Sequence, residues 1–210
     1  MSDNNRRSSP RPRIESLSDL IFGLALSLSA YSLLSRPPTQ LTALGSDVLA
    51  FTFSFLILIS VWVRYTGLMS VLPMENSTTR MLNVTMLFSV SLEPYLFNLV
   101  TLFGHSTETL VVEYASVFYA ADMGALVVIL AFFIHEIAIE EKKLIAAELT
   151  KPYRNVRNSM VLSALLFLLT MAPQFWSWRI QDVPLRFYLW LIPIAIFWVG
   201  RLPERPQTSD

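Results

Sequence analysis

Long apolar runs, each close to the length of a bilayer crossing, constrain this chain more than any other feature of its sequence. A helix needs about 20 predominantly apolar residues to cross the hydrocarbon core of a membrane. Charged residues make up only 15% of the chain, whereas a soluble domain usually carries about 25%, so too little charge remains for a water-facing surface. The sequence therefore predicts an all-α integral membrane protein with six transmembrane helices, at about 18–34, 48–69, 81–103, 110–137, 156–175 and 185–202.

The segments between these runs fit the same interpretation. Arg36-Pro37-Pro38 ends the first run with residues that cannot continue a helix. The longest link, Ala138 to Asn155, is charged and has helical spacing, which predicts that it extends the fourth helix beyond the membrane. We expect a disordered segment over 1–12, a six-helix transmembrane domain over 13–202, and a loose tail over 203–210.

The basic residues predict the orientation, because loops on the cytoplasmic side of a membrane carry an excess of Lys and Arg. With the N-terminus inside, thirteen of the 16 basic residues fall on the inner side. The three others, Arg36, Arg179 and Arg186, fall outside. This bias predicts that both termini are cytoplasmic.

Several function classes lack the residues that they require. The chain has no Cys, which excludes a disulfide framework, an iron–sulfur site and a thiol nucleophile. Its 16 basic and 16 acidic residues give no net basicity, so nothing predicts a nucleic-acid partner. His135-Glu136 is not part of an HExxH motif, and the sequence has no phosphate-binding Gly-rich loop, no GxSxG elbow and no TVGYG filter. We expect no enzyme activity, no cofactor and no metal site.

The first predicted helix carries the most informative polar residues. Asp19 follows Arg13 by six positions, near the start of the helix. It is either a helix-start residue that suits the N-terminal dipole, or part of a buried polar cluster with Arg13 and donors from neighbouring helices. Glu93 and Asp122 also fall inside predicted spans, where ionisable residues are costly and are candidates for function.

One face of that helix mixes bulky apolar groups with hydroxyls. Its members recur at spacings of three and four, which places them on one side of a helix: Leu20, Leu24, Ser27, Leu28, Tyr31 and Ser35. Such a face suits a narrow, partly wetted lumen. Close helix packing, with Ser bonded to its own backbone, remains the alternative.

Three segments together resemble the transmembrane protein 175 family of endolysosomal potassium channels and their prokaryotic homologues. The family begins its first helix with Arg, three variable residues and Phe-Ser-Asp, and here Arg13 is followed by Leu17-Ser18-Asp19. The second helix carries Ser54-Phe55 and then Trp62. The third carries a matching series, Arg80, Asn83, Leu87-Phe88, Ser91 and Pro94. Departures at Leu17, Leu20, Tyr65 (near a usual His) and Glu93 (before Pro94) indicate a divergent member.

The resemblance implies an architecture and a set of site residues. Prokaryotic members resemble this chain in having six helices and assemble as homotetramers, with the first helices around a central pore. The resemblance implies a constriction at Leu24, a hydroxyl ring linked to potassium preference at Ser27, and further apolar rings at Leu28 and Tyr31. It implies a structural polar network that anchors the pore helix without touching ions, formed by Arg13, Ser18, Asp19, Trp62 and Asn83.

Two functions follow from these observations. The first is a potassium-permeable cation channel in a cell membrane, expected to be the prokaryotic inner membrane. Its partners would be potassium and other monovalent cations, the lipid bilayer and three further copies of the chain. The alternative is a proton- or cation-coupled membrane transporter in which Asp19, Glu93 or Asp122 titrates.

Overall fold

The computed structural model of this protein is mostly helical. It describes residues 11–35, 41–72, 76–102, 109–139, 144–145, 147–180 and 183–199. Five long helices are followed by a short helix, a two-stranded hairpin and two further helices: α1 Arg11–Ser35, α2 Leu41–Met69, α3 Ser77–Leu102, α4 Thr109–Ile137, α5 Ala147–Leu169, α6 Gln174–Ser177, β1 Arg179–Ile180, β2 Val183–Pro184, α7 Leu185–Leu189 and α8 Leu191–Val199. The two strands pair antiparallel, with Arg179 opposite Pro184 and Ile180 opposite Val183.

Helix α4 lies at the centre of the fold. It packs most extensively against α5 and α3, while α1 packs on α3 and α2, and α8 packs on α5. The apolar segment Leu110–Ile137 has a mean hydropathy of 2.3 and is mostly buried, as expected for a helix that is hydrophobic all round. Its buried side chains include Tyr119, Met123, Leu126 and Phe133, none more than 2% exposed.

Helices α2 and α4 contain the predicted second and fourth spans, and α3 contains the third as far as Leu102, where the described residues end. Helix α1 begins at Arg11, before the predicted start of the first span. The prediction for the longest link is wrong. Helix α4 ends at Ile137 in a turn, where the Ala138 N–H donates to the Ile134 carbonyl (2.9 Å). The helical spacing after it belongs to α5, whose first turns are amphipathic and bury Tyr153 against the core.

The predicted sixth helix is interrupted. Helix α7 ends at Leu189, a turn follows at Trp190, and α8 begins at Leu191. Pro193 explains the break, because proline lacks the N–H for an intrahelical bond and is tolerated only in the first turn of a helix. The structure places Pro193 in the first turn of α8, where that missing donor costs nothing.

Two of the described helices have segments that are long and apolar enough to cross a membrane, Asp47–Met69 and Leu110–Ile137. Two further apolar segments are shorter, Ser16–Tyr31 and Leu185–Trp198. Helix α3 is less apolar because Asn83, Glu93 and Asn98 lie along it, and α5 is less apolar because its first turns are polar. These segments are those of a membrane protein, and the count of six crossings remains a prediction.

Arg186 is the polar residue that closes one end of the bundle. It is completely buried, although the sequence placed it at the outer end of the sixth predicted span, among the residues that indicate orientation. Its Nε donates to the Thr170 carbonyl (2.6 Å) and its Nη2 to the Met171 carbonyl (3.2 Å), just beyond the last turn of α5. Its Nη1 donates to Ser116 Oγ (2.5 Å) and to the Glu113 carbonyl (3.3 Å) on α4. One guanidinium group therefore caps α5 and joins it to the first turns of α4.

We expect Arg186→Met to lower the free energy of unfolding by about 3 kcal/mol or more, since hydrogen bonds to charged groups each contribute about 1.5–3 kcal/mol. Denaturant unfolding of the purified protein in detergent, followed by tryptophan fluorescence, measures the change. The matched control is Arg179→Met, at an exposed position, which should change stability by less than about 0.5 kcal/mol. Equal effects of the two substitutions would contradict the capping role.

Candidate functional site

Helix α1 has a buried face and an exposed face, and both consist largely of apolar residues. The buried face contacts α2 and α3 through Ser18, Phe22, Ala25 and Ser29, at spacings of three and four residues. The exposed face follows the same spacing on the opposite side: Leu17 51%, Leu20 68%, Leu24 57%, Leu28 49% and Tyr31 63% exposed. We call these five residues the α1 stripe.

The four residues predicted to line a pore all lie on this exposed side. Leu24, Leu28 and Tyr31 belong to the α1 stripe, and Ser27 lies exposed beside them. The Ser27 hydroxyl donates to the Gly23 carbonyl, four residues earlier, at 2.8 Å. Its hydrogen is therefore used within the helix, while its oxygen remains an exposed acceptor. Gly23 has no side chain and open space beside it, so no side chain at that position covers the Ser27 hydroxyl.

The buried face of α1 is held by a chain of hydrogen bonds through Tyr65. The Tyr65 hydroxyl donates to Asn83 Oδ1 on α3 at 2.7 Å, so the Ser18 hydroxyl, also at 2.7 Å, must donate to the Tyr65 oxygen. All three side chains are buried, and the Tyr65 ring also packs on Phe22 with centroids 5.6 Å apart. One hydroxyl on α2 therefore joins α1 to α3.

Two of the remaining predicted network residues meet at the next position of α1. Trp62 Nε1 donates to Asp19 Oδ1 at 3.0 Å, which connects α2 to α1 a second time. The structure thus brings Ser18, Asp19, Trp62 and Asn83 to one end of the α1–α2–α3 interface. The side chain of Arg13 lies outside the described residues, so its predicted bond to Asp19 stays a prediction.

Tyr65 is the member of this network that the sequence did not predict. Its position was noted only as a departure from a family pattern that usually has His nearby. A hydroxyl can accept from Ser18 and donate to Asn83 at once, as a neutral imidazole can do with its two ring nitrogens. One sequence signal could have identified Tyr65 as a member of the network. It lies three residues after Trp62, and this spacing places both residues on the same side of α2.

A second set of polar side chains lies further along α1, α2 and α3 and extends to α4. Ser54 on α2 donates to Glu93 on α3, with its oxygen 3.0 Å and 3.3 Å from the two carboxyl oxygens. Ser29 on α1 lies 3.3 Å from the Ser54 oxygen. Asp122 on α4, 8% exposed, is hydrogen-bonded to Ser89 on α3. The two carboxyl groups that the sequence singled out are thus both interior.

Among the residues that the structure describes, no group of three or more His, Asp or Glu side chains is arranged to hold a metal ion. The predicted pair His135-Glu136 is not joined into a site. Arg157 Nη1 lies 3.1 Å from His135 Nδ1, an exposed contact between α5 and α4. His105 lies outside the described residues.

The linking role of Tyr65 gives a direct test. We expect Tyr65→Phe to lower the free energy of unfolding by about 1–3 kcal/mol, because Ser18 and Asn83 each lose a buried hydrogen-bond partner while the ring is kept. Chemical denaturation in detergent measures the loss. Tyr95→Phe is the matched control, since Tyr95 is 61% exposed on α3, and it should leave stability unchanged. A Tyr65→Phe protein as stable as the control would remove the network from the account of how α1 is held.

The comparisons with known proteins concern the same helices. Residues 13–94 match a family model described as endosomal/lysosomal potassium channel TMEM175. This region contains α1, α2 and most of α3, with every member of the Ser18–Tyr65–Asn83 chain. No curated protein is significantly similar in sequence.

Two crystal structures share the fold of the whole chain. One is a lysosomal potassium-selective channel TMEM175 homolog from Chamaesiphon minutus, with 18% sequence identity and a TM-score of 0.64, covering 92% of this chain and 100% of that chain. The other is a variant of the potassium channel MtTMEM175 in complex with a nanobody–MBP fusion, with 18% identity and a TM-score of 0.63, covering 95% and 96%. The resemblance expected from the three motifs is therefore supported twice: the TMEM175 family model matches residues 13–94, the part of the chain that carries them, and the fold is that of two TMEM175 channel structures.

Proposed function

We propose that four copies of this chain form a potassium-permeable cation channel in a cell membrane, with the α1 helices around a central pore. The observation that carries the proposal is the position of the α1 stripe. It lies on the outside of the protomer, whereas the centre of the protomer is filled by α4. A path for ions therefore has to form between protomers, and closed cyclic symmetry brings identical stripes together around one axis.

The side chains of the α1 stripe suit a constricted pore. Four copies of Leu24 would form an apolar collar, and an apolar collar can gate by losing its water. Ser27, about one turn further along, would add a ring of oxygen acceptors, since its hydrogen is already donated to Gly23. Leu28 and Tyr31 would continue the lining. In this arrangement Arg13, Ser18, Asp19, Trp62 and Asn83 fix α1 from behind and do not meet the ions.

The membrane arrangement belongs to the same proposal. Six crossings arise if α1 to α5 each cross once and α7 with α8 form the last crossing. The excess of basic residues then puts both termini in the cytoplasm, in the inner membrane of a prokaryote. The transmembrane channel domain would span 13–202, between an N-terminal segment 1–12 and a tail 203–210.

One observation favours the alternative of a proton- or cation-coupled transporter. Glu93 and Asp122 lie inside the bundle, where a carrier would place titrating groups. Recording from planar bilayers with potassium on one side and sodium on the other separates the two functions. Unitary currents that reverse toward the potassium equilibrium potential support the channel, whereas slow flux of fixed stoichiometry supports the carrier.

We expect a homotetramer, because one chain supplies one α1 stripe and a pore requires several. Native mass spectrometry of the detergent-solubilised protein should give four times the mass of the 23.9 kDa chain. Averaged particle images should show fourfold symmetry with α1 next to the axis. A monomer that conducts ions would contradict the proposed pore.

Leu24→Ala tests the constriction. We expect it to raise the single-channel conductance and weaken the preference for potassium over sodium, because shorter side chains widen the collar. Assembly should be unaffected, since Leu24 lies away from the buried contacts of α1. The matched control is Leu165→Ala, a leucine of nearly equal exposure (58%) on α5, which should leave both conductance and selectivity unchanged.

Ser27→Ala tests the hydroxyl ring separately. We expect a lower preference for potassium over sodium and a smaller change in conductance than Leu24→Ala gives. The substitution removes the hydroxyl oxygen but leaves the Leu24 collar unchanged. The measurement is the reversal potential under the same bi-ionic conditions. Wild-type currents from both Leu24→Ala and Ser27→Ala would mean that another helix face lines the pathway.

A further inference from the structure

Two carboxyl groups lie on opposite sides of the α3–α4 interface, inside the protomer and away from the α1 stripe. Glu93 is completely buried and Asp122 is 8% exposed. Ser54 donates to Glu93, Ser89 is hydrogen-bonded to Asp122, and the two carboxyl groups interact electrostatically. Ser89 and Glu93 are four residues apart on α3, so they share one helix face. We call Glu93 and Asp122 the acidic pair.

A third side chain, Tyr119, indicates that a ligand binds beside the acidic pair. Tyr119 lies one turn before Asp122 on α4 and is completely buried. Its ring packs on Phe97 of α3, one turn after Glu93, with centroids 5.5 Å apart, and its hydroxyl interacts electrostatically with both carboxyl groups. Among the described residues, neither this hydroxyl nor Asp122 Oδ2 has a hydrogen-bond partner. Buried polar atoms in native proteins nearly always have one, so two orphan oxygens beside one acidic pair are unusual.

No basic side chain in the described part of the chain pairs with either carboxyl group. The two buried arginines are engaged elsewhere, Arg64 with the Phe197 carbonyl and ring, and Arg186 with the end of α5. A buried carboxyl group is neutralised by a proton or is paired with a cation, and the described part of the chain supplies no cation to the acidic pair.

We propose that each protomer binds one dehydrated alkali-metal cation, potassium or sodium, between Glu93, Asp122 and the Tyr119 hydroxyl. All the ligand atoms are oxygens, which favours hard cations over transition metals. Calcium sites surround the ion with several charged carboxylates, whereas this site offers two carboxyl groups and one neutral hydroxyl. That lower charge favours a monovalent ion.

The site would connect the pore helix α1 to the three helices behind it, α2, α3 and α4. Glu93 contacts Ser54 on α2, and Ser54 contacts Ser29 on the buried face of α1. Asp122 and Tyr119 supply the α4 side. The cation would thus lie behind α1, on the side opposite Leu24 and Ser27, and it would be a resident ion separate from those that permeate.

The test uses the purified full-length protein in detergent at constant pH and constant total chloride. The thermal unfolding midpoint is measured as potassium or sodium chloride replaces choline chloride. We expect a saturable rise with either alkali cation. Asp122→Asn should abolish the rise, and Tyr119→Phe should shift it to a concentration at least tenfold higher.

Two controls separate this site from other cation effects. Asp47→Asn removes a carboxylate from α2 that is not part of the acidic pair. Ser27→Ala removes the proposed pore hydroxyl. Both should keep the saturable rise, so that loss of conduction and loss of the interior ion are distinguishable. In addition, crystals of the wild-type protein grown with thallium(I), a heavy substitute for potassium, should show an anomalous peak next to Asp122 Oδ2.

Several outcomes would overturn the proposal. A rise that persists in Asp122→Asn, or an absent thallium peak, would place the bound ion elsewhere or exclude it. Stabilisation by lowered pH without any dependence on alkali cations would mean that protons neutralise the acidic pair. A rise with calcium or magnesium alone would assign a divalent ion. The thallium experiment decides the question even if the variants fail to fold.

Discussion

The rotation of α1 about its own axis depends on the hydrogen bonds of Ser18 and Asp19. Both faces of this helix are rich in apolar side chains, and lipid solvates such residues about as well as neighbouring helices do, so burial of apolar area alone does not select a face. Polar groups differ, because the hydrocarbon core offers them no partner. The Tyr65 hydroxyl and the Trp62 indole lie on one side of α2, and they draw Ser18 and Asp19 toward it. The exposure of the α1 stripe on the opposite side follows from this choice.

The long helices could be predicted because their apolar runs are long and end at recognisable breaks. Where the prediction failed, local and tertiary signals were in competition. The charged link before α5 has helical spacing that suits either neighbour, and only the packing of residues such as Tyr153 assigns it to α5. The sixth run has enough apolar residues for a crossing, but Pro193 fits only a first turn, and that splits the run into α7 and α8.

The polar sites show a similar division. The sequence singled out Glu93 and Asp122, because carboxyl groups within apolar runs are rare, and it identified Ser18, Asp19, Trp62 and Asn83 through a family resemblance. It did not identify the partners Ser54 and Ser89, because serine is common in membrane helices and carries little information by itself. Arg186 was counted among the outer basic residues that indicate orientation, at the start of the sixth predicted span. It is instead buried, and its hydrogen bonds cap α5. Counting basic residues does not detect this structural role.

In the proposed channel, substitutions on the exposed face of α1 would change conduction without disturbing folding. On the exposed face, Leu24 and Ser27 make few contacts within the protomer, so substitution there alters the surface presented to other copies without removing a buried hydrogen bond. On the buried face, Ser18 and Ser29 reach the hydroxyl chains that end at Asn83 and Glu93. A change to these chains would rotate α1 as a rigid unit and so alter the angle at which Leu24 is presented. In the proposed channel, the residues that hold the buried face of α1 would therefore affect the width of the constriction together with Leu24 itself.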